Sequence, residues 1–217
     1  MKAALITETM KFVRARVSIA TTIMLTVGIG LLCSSMLLAA SGDDPNLAAK
    51  LGALVDPGGW AGYLSTASQI TAIAGLLGFG VVLSWLYLRE FSEGTVTGLF
   101  ALPVGRGTTA LAKLIVYLLW AAVVSAVLVA ALVALGFVFG LPSVPDAAAL
   151  ATQLIVSLLT ACLALPAAWA ATLGRGALAG IATIVGVVVV AQVAAIGGIG
   201  AWFPFSSPGL WATGAPV

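Results

Sequence analysis

Apolar residues fill five long, nearly unbroken runs of this chain: Val17 to Ala40, Tyr63 to Leu88, Leu114 to Gly140, Ala147 to Leu173 and Ala177 to Trp202. Crossing the hydrocarbon core of a bilayer as a helix takes about 20 residues, and each run supplies them. No run alternates with the period of a barrel strand, and in lipid a helix satisfies its own backbone hydrogen bonds. Five transmembrane helices are therefore predicted, over 17–40, 63–88, 114–140, 147–173 and 177–202. The first run exceeds the roughly 7 to 15 apolar residues of a signal peptide, so it is expected to remain in the mature protein.

Three interruptions of the apolar pattern carry further information. The opening residues, MKAALITETMKFVRAR, wound at about 100° per residue, put Thr7, Glu8, Lys11 and Arg14 on one face and Leu5, Ile6, Met10, Phe12 and Val13 on the other. This predicts an amphipathic helix over 1–16 lying on the membrane surface, the other reading being an extension of the first span. The stretch 89–113, which opens REFSEGTVTGLFALPVGR, is half apolar. Glu90, Ser92 and Glu93 suit a helix amino terminus, and Pro103 with Gly105 would end the short helix that follows. Such a helix either rests on headgroups or docks a partner. The ending, FPFSSPGLWATGAPV over 203–217, holds three prolines and a tryptophan and reads as a re-entrant or interfacial segment at the outer face. The expectation is five spans, or six if another follows Val217.

Composition fixes the class. Hydrophobic residues make up 62% of the 217 and charged residues 7%, against about 25% charged in a soluble domain. An all-α integral membrane protein is the result. Lys2, Lys11, Arg14, Arg16, Arg89, Arg106, Lys113 and Arg175 fall on one side of the predicted spans and Lys50 on the other. By the positive-inside rule the amino terminus and the 89–113 loop are cytoplasmic, in what the Ala, Val and Gly richness suggests is a bacterial inner membrane. A net charge of +2 is too small to point to nucleic acid, and with no histidine and only Cys33 and Cys162, no metal or disulfide is expected. Both cysteines read as small packing residues.

Chemistry is sparse. The closest approach to a phosphate-binding G-x-x-x-x-G-K-[ST] loop, GRGTTALAK, lacks the Gly-Lys pair, so no ATP is expected on this chain and it is not expected to be an enzyme. The third and fifth spans contain no charge, which argues against a proton-coupled carrier. Uncharged polar residues do occur: YLSTASQIT places Ser65, Thr66, Ser68, Gln69 and Thr71 in the outer half of the second span, and the fifth holds Gln192. They serve either as interhelical glue or, for Gln69, Thr66 and Gln192, as the lining of a pathway. Gly136 with Gly140 and Gly176 with Gly180 form small-xxx-small packing pairs. Pro166 is expected to bend the fourth span and free a carbonyl for a neighbour.

The pattern Glu90-Phe91-x-Glu93-Gly94-Thr95 after the second span, followed by Leu102-Pro103-Val104-x-Arg106 and then Lys113, resembles the permease subunits of the type-2 ABC exporter family. Glu8, Lys11, Phe12 and Arg14 resemble that family's elbow helix, which precedes the first span. The resemblance implies a permease that pairs with a second one, identical or homologous, and with two ATPase subunits that carry ATP and Mg. It implies a coupling helix in the 89–113 loop, with Glu90, Glu93, Gly94 and Thr95 facing the ATPase and Arg106 and Lys113 holding the far end. It also puts the second and fifth spans, with Gln69 and Gln192, at the permease dimer interface. The expected function is export of hydrophobic or amphipathic compounds such as drugs, peptides or lipids. The other reading is a non-transporting anchor or assembly subunit that recruits a cytoplasmic partner.

Overall fold

The computed structural model describes residues 2–40, 59–92, 94, 105–212 and 214, and every regular element among them is a helix. Five helices are long and apolar enough to span a membrane: Arg16–Ala39, Gly59–Arg89, Gly107–Val138, Ala147–Leu173 and Ala177–Ile196. Alternating directions bring Arg16, Arg89, Arg106 and Arg175 to one end of the bundle, called the basic end below.

The second span is the centre of the bundle. It packs against each of the other four, and 56% of its membrane window is buried, against 22–33% in the others. Small residues make this possible. Gly78 receives Leu25 of the first span, Gly80 receives Ile184 of the fifth, and Gly180 of the fifth sits on Ser84. A Cβ at Gly80 would come within 2.5 Å of Ile184 Cγ1, and one at Gly180 within 2.7 Å of the Ala167 carbonyl. Both glycines are thus required by close approach between helices, the way membrane helices gain dispersion contact in the absence of a hydrophobic driving force. The expected packing pairs divide. Gly136 lies under the Trp60 ring, but Gly140 has φ +78 and ends its helix, with Leu141 N–H bonded back to Gly136 O at 3.0 Å. Gly176 likewise precedes a helix rather than packing one.

Two spans depart from regular α geometry near mid-membrane. Residues Met24–Gly28 and Thr71–Gly75 form single π turns, each inserting one residue and turning the side chains beyond it to new faces. The fourth span breaks at Ala164 into Ala147–Leu163 and Leu165–Leu173. Pro166 has no N–H to give the Cys162 carbonyl and breaks the ladder there; the neighbouring Ala161 carbonyl takes the Tyr117 hydroxyl at 2.7 Å. The fifth span stops at Ile196 rather than Trp202, closed by Gly198 at φ +76 with Ile199 N–H bonded to Ala194 O at 3.0 Å, a left-handed helix cap.

That early stop leaves room for the carboxyl segment. The antiparallel register of Gly180 on Ser84 and Ile184 on Gly80 sets Ile196 at the level of Ser68, roughly 14 Å below Gly59 at 1.5 Å per residue. A 3-10 turn, Gly200–Trp202, and a short helix, Ser207–Ala212, occupy the space. Gly209 comes against Ala72, and Ala212 returns to the level of Ala61 and Leu64. Ser206 ties the turn together through bonds to the Gly200 and Phe203 carbonyls, 2.7 and 2.8 Å.

The amino-terminal helix, Lys2–Val13, turns into the first span at Ala15. Ser18 Oγ donates to the Phe12 and Ala15 carbonyls, 2.6 and 2.9 Å, fixing that corner. The two faces expected from the helical wheel need correction. Glu8 is buried, with Phe12, against the third helix, while Ile6, Met10 and Val13 are exposed at 60, 52 and 64%. The bundle itself supplies a partner for one side of this helix, so its apolar residues split between bundle and lipid.

Candidate functional site

At the basic end, three elements are tied together by side chains that give donors to main-chain carbonyls. The third helix begins at Arg106, well before the expected Leu114, and the second continues to Ser92. Helix therefore enters the 89–113 loop from both sides. Lys113 sits about two turns inside the third helix and is 3% exposed; its Nζ donates to Leu86 O at 3.1 Å and lies 5.8 Å from the Tyr87 ring centroid. An ammonium at this depth is costly unless it is bonded. Tyr87 Oη donates to Ala110 O at 3.0 Å, so the second and third helices are pinned in both directions. Arg89 lies over Trp85, 5.3 Å from the ring centroid, and donates to Lys11 O at 3.3 Å. That carbonyl belongs to the last turn of the amino-terminal helix, where a cation is favoured by the dipole.

Phe12 completes the clamp. It is 2% exposed and packs between Trp85 and Trp120, ring centroids 6.3 and 5.5 Å away. Trp120 in turn meets Phe79 and Tyr117 and donates to Thr22 Oγ1 at 2.9 Å. An aromatic chain thus runs from the amino-terminal helix through the second and third spans to Tyr117, whose hydroxyl holds the broken fourth span. Glu8, 5% exposed, pairs with Lys11 at 3.4 Å within its own helix, and Arg14 lies just beyond that helix, exposed.

The residues assigned to the coupling helix are only partly visible. Glu90 lies on the last turns of the helix Leu76–Ser92 and Arg106 opens the next. Gly94 has φ +67, its N–H bonded to Phe91 O at 3.4 Å, and closes the second helix. Glu93 and Thr95 lie outside the described residues, as does the short helix expected before Pro103.

Gln69 and Gln192 line one cleft. It measures about 210 Å³ and lies between the second span, the fifth span and the carboxyl segment; its wall also includes Ile73, Leu76, Phe205, Ser206 and Leu210. Gln69 is half-buried and Gln192 exposed, while Thr66 is buried and does not reach the cleft. Among the described residues, no charged side chain lines it. The adjacent π turn contributes Ala72 and Ile73 to the wall.

One intramembrane glutamine escaped the sequence reading. Gln153 of the fourth span has no exposed surface; its Oε1 accepts from Ser68 Oγ at 2.6 Å and its Nε2 donates to Thr71 Oγ1 at 2.9 Å. The signal was present, a glutamine inside an apolar run, as for Gln69 and Gln192. What separates the three is burial: Gln153 is glue, whereas Gln69 and Gln192 face open space.

No curated protein and no solved structure matches the chain. The sequence profile described as ABC-2 family transporter protein matches residues 4–192. That range takes in the amino-terminal helix, its clamp at the basic end, all of the first four spans and the fifth as far as Gln192. By this match, an all-helical protein built round a buried second span belongs to the ABC-2 transporter family.

Proposed function

We propose that this chain is the permease subunit of an ATP-driven exporter, working with two separate ATPase subunits and a second permease. The basic end faces the cytoplasm, by the excess of Lys and Arg there. The observation that carries the reading is the clamp around 93–105. Lys113 to Leu86 O, Tyr87 to Ala110 O and Arg89 to Lys11 O join the second helix, the third helix and the amino-terminal helix into one unit. A push on the connection between the second and third helices would move all three together, and the aromatic chain to Tyr117 would carry it to the fourth span. ATP and Mg would be held by the ATPases, whose closure supplies the push.

Cargo would meet the cleft of Gln69 and Gln192. Its lining is apolar apart from amides and a serine, which suits uncharged hydrophobic or amphipathic molecules and offers little to inorganic ions. Exposure of Gln192 suits a face shared with a second permease. In a purified complex reconstituted with its ATPase, Glu93→Arg is expected to leave basal ATP hydrolysis in place and abolish its stimulation by the permease. Full coupled activity in that variant would count against docking at this loop and favour a non-transporting anchor.

A further inference from the structure

At the basic end an open notch of about 580 Å³ lies between the end of the amino-terminal helix, the start of the first span and the end of the second. Four cationic side chains line it, Lys11, Arg14, Arg16 and Arg89, and among the described residues no acid does. Among the described residues, the Glu8 carboxylate of the amino-terminal helix is buried and engaged with Lys11. Beyond the Lys11–Glu8 pair, Arg14 and Arg16 add positive charge to the hollow, which attracts an anion.

The walls define the anion further. Trp85 and Met10 give the notch an apolar side, and the exposed stripe Ile6, Met10 and Val13 continues from it along the amino-terminal helix. Arg16 opens the first span and Arg89 closes the second, so the hollow stands at the height where apolar chain gives way to polar, the level of lipid headgroups. The stripe ends at Val13, which also walls a separate apolar groove of about 250 Å³ between the first span and Trp120, with Ile19 and Ile23. Its polar atoms are already committed: Ser18 bonds to the corner carbonyls and Thr22 to Ser18 O and Trp120.

We propose that this notch binds the headgroup of an anionic phospholipid such as phosphatidylglycerol, with an acyl chain lying along the adjoining apolar surface. The lipid would bridge the amino-terminal helix and the second span, adding to the bond from Arg89 to Lys11 O. This site does not depend on transport or on any ATPase, and would stand if the coupling reading failed.

The test is native mass spectrometry of the detergent-purified full chain, titrated with phosphatidylglycerol, phosphatidylcholine or inorganic phosphate, alongside thermal unfolding in the same mixtures. Phosphatidylglycerol is expected to bind at least about ten-fold more tightly than phosphatidylcholine and to raise the unfolding temperature. Arg14→Gln with Arg16→Gln should remove most of that preference, roughly ten-fold or more for two charges near the surface, and leave phosphatidylcholine unaffected. Arg175→Gln, at the same end but outside the notch, should change neither. If the double variant does not fold, Lys11→Gln with Arg14→Gln tests the same hollow without touching the start of the first span. Equal binding of the two lipids, an equal loss in Arg175→Gln, or displacement of phosphatidylglycerol by millimolar phosphate would each overturn the proposal.

Discussion

Gln153, Gln69 and Gln192 are the same residue in the same slab of the bundle, and their surroundings assign them different work. Gln153 makes two short bonds to Ser68 and Thr71 with no exposed surface, so its loss removes both bonds and opens a cavity between the second and fourth spans. Interhelical hydrogen bonds in membranes are worth about 0.6 kcal/mol on average and seldom more than about 1.7. With the cavity added, Gln153→Ala is expected to cost about 2 kcal/mol, read as unfolding free energy in mixed detergent. Gln192→Leu, at an exposed position on the cleft, should leave that free energy within about 0.5 kcal/mol of the parent. It should change transport of amphipathic cargo instead. Equal destabilisation by both changes would mean that Gln192 is glue as well. Sequence shows all three glutamines as anomalies in apolar runs. It does not show which face of each helix they occupy, because helices that are apolar nearly all round carry little amphipathic signal to orient them.

The broken fourth span shows how a local rule becomes a contact between elements. Pro166 interrupts the ladder, and the Ala161 carbonyl, which in an unbroken helix would take the Leu165 N–H, takes Tyr117 Oη. Tyr117→Phe should therefore leave a buried carbonyl unpaired, at a cost of about 1–3 kcal/mol. In a Pro166→Ala background the helix can close its own ladder, and the cost of Tyr117→Phe should fall below about 1 kcal/mol. A double-mutant cycle measures the difference directly, and additive costs would show that the break has some other cause. The break itself was legible from one proline. Its partner was not, since Tyr117 lies on another span and only packing brings the two together. The same limit explains Glu8. A helical wheel for an isolated surface helix puts the carboxylate in water, but the third helix lies along that face and buries it. Span ends were legible to the residue at Ala147 and Leu173, but not at Arg106, where the third helix begins ahead of the expected Leu114. They shifted where a neighbour intervenes, as at Ile196, where a glycine cap ends the fifth helix and the carboxyl segment folds into the gap.

At the scale of the whole molecule, orientation is the premise on which the other roles rest. Described basic residues gather at one end while the loop between the third and fourth spans, with Ser143, Val144 and Asp146, lies at the other. By the positive-inside rule that asymmetry predicts a cytoplasmic basic end, and only this orientation would let the connection at 93–105 reach the proposed ATPase. Single cysteines test it without disturbing the charges that set it. Gly107 is exposed and a side chain there meets nothing within 4 Å, and Val144 at the opposite end is 79% exposed. With Cys33 and Cys162 replaced, the permease alone in bacterial cells should react with a membrane-impermeant maleimide at Val144→Cys while the cells are intact. Gly107→Cys should react only after the inner membrane is opened. The opposite pattern would put the clamp of Lys113, Tyr87 and Arg89 outside the cell, where no ATP-hydrolysing partner can drive it. The cleft of Gln69 and Gln192 would then open to the cytoplasmic half of the bilayer, and the bundle would have to be read as taking cargo in from that side rather than releasing it outward.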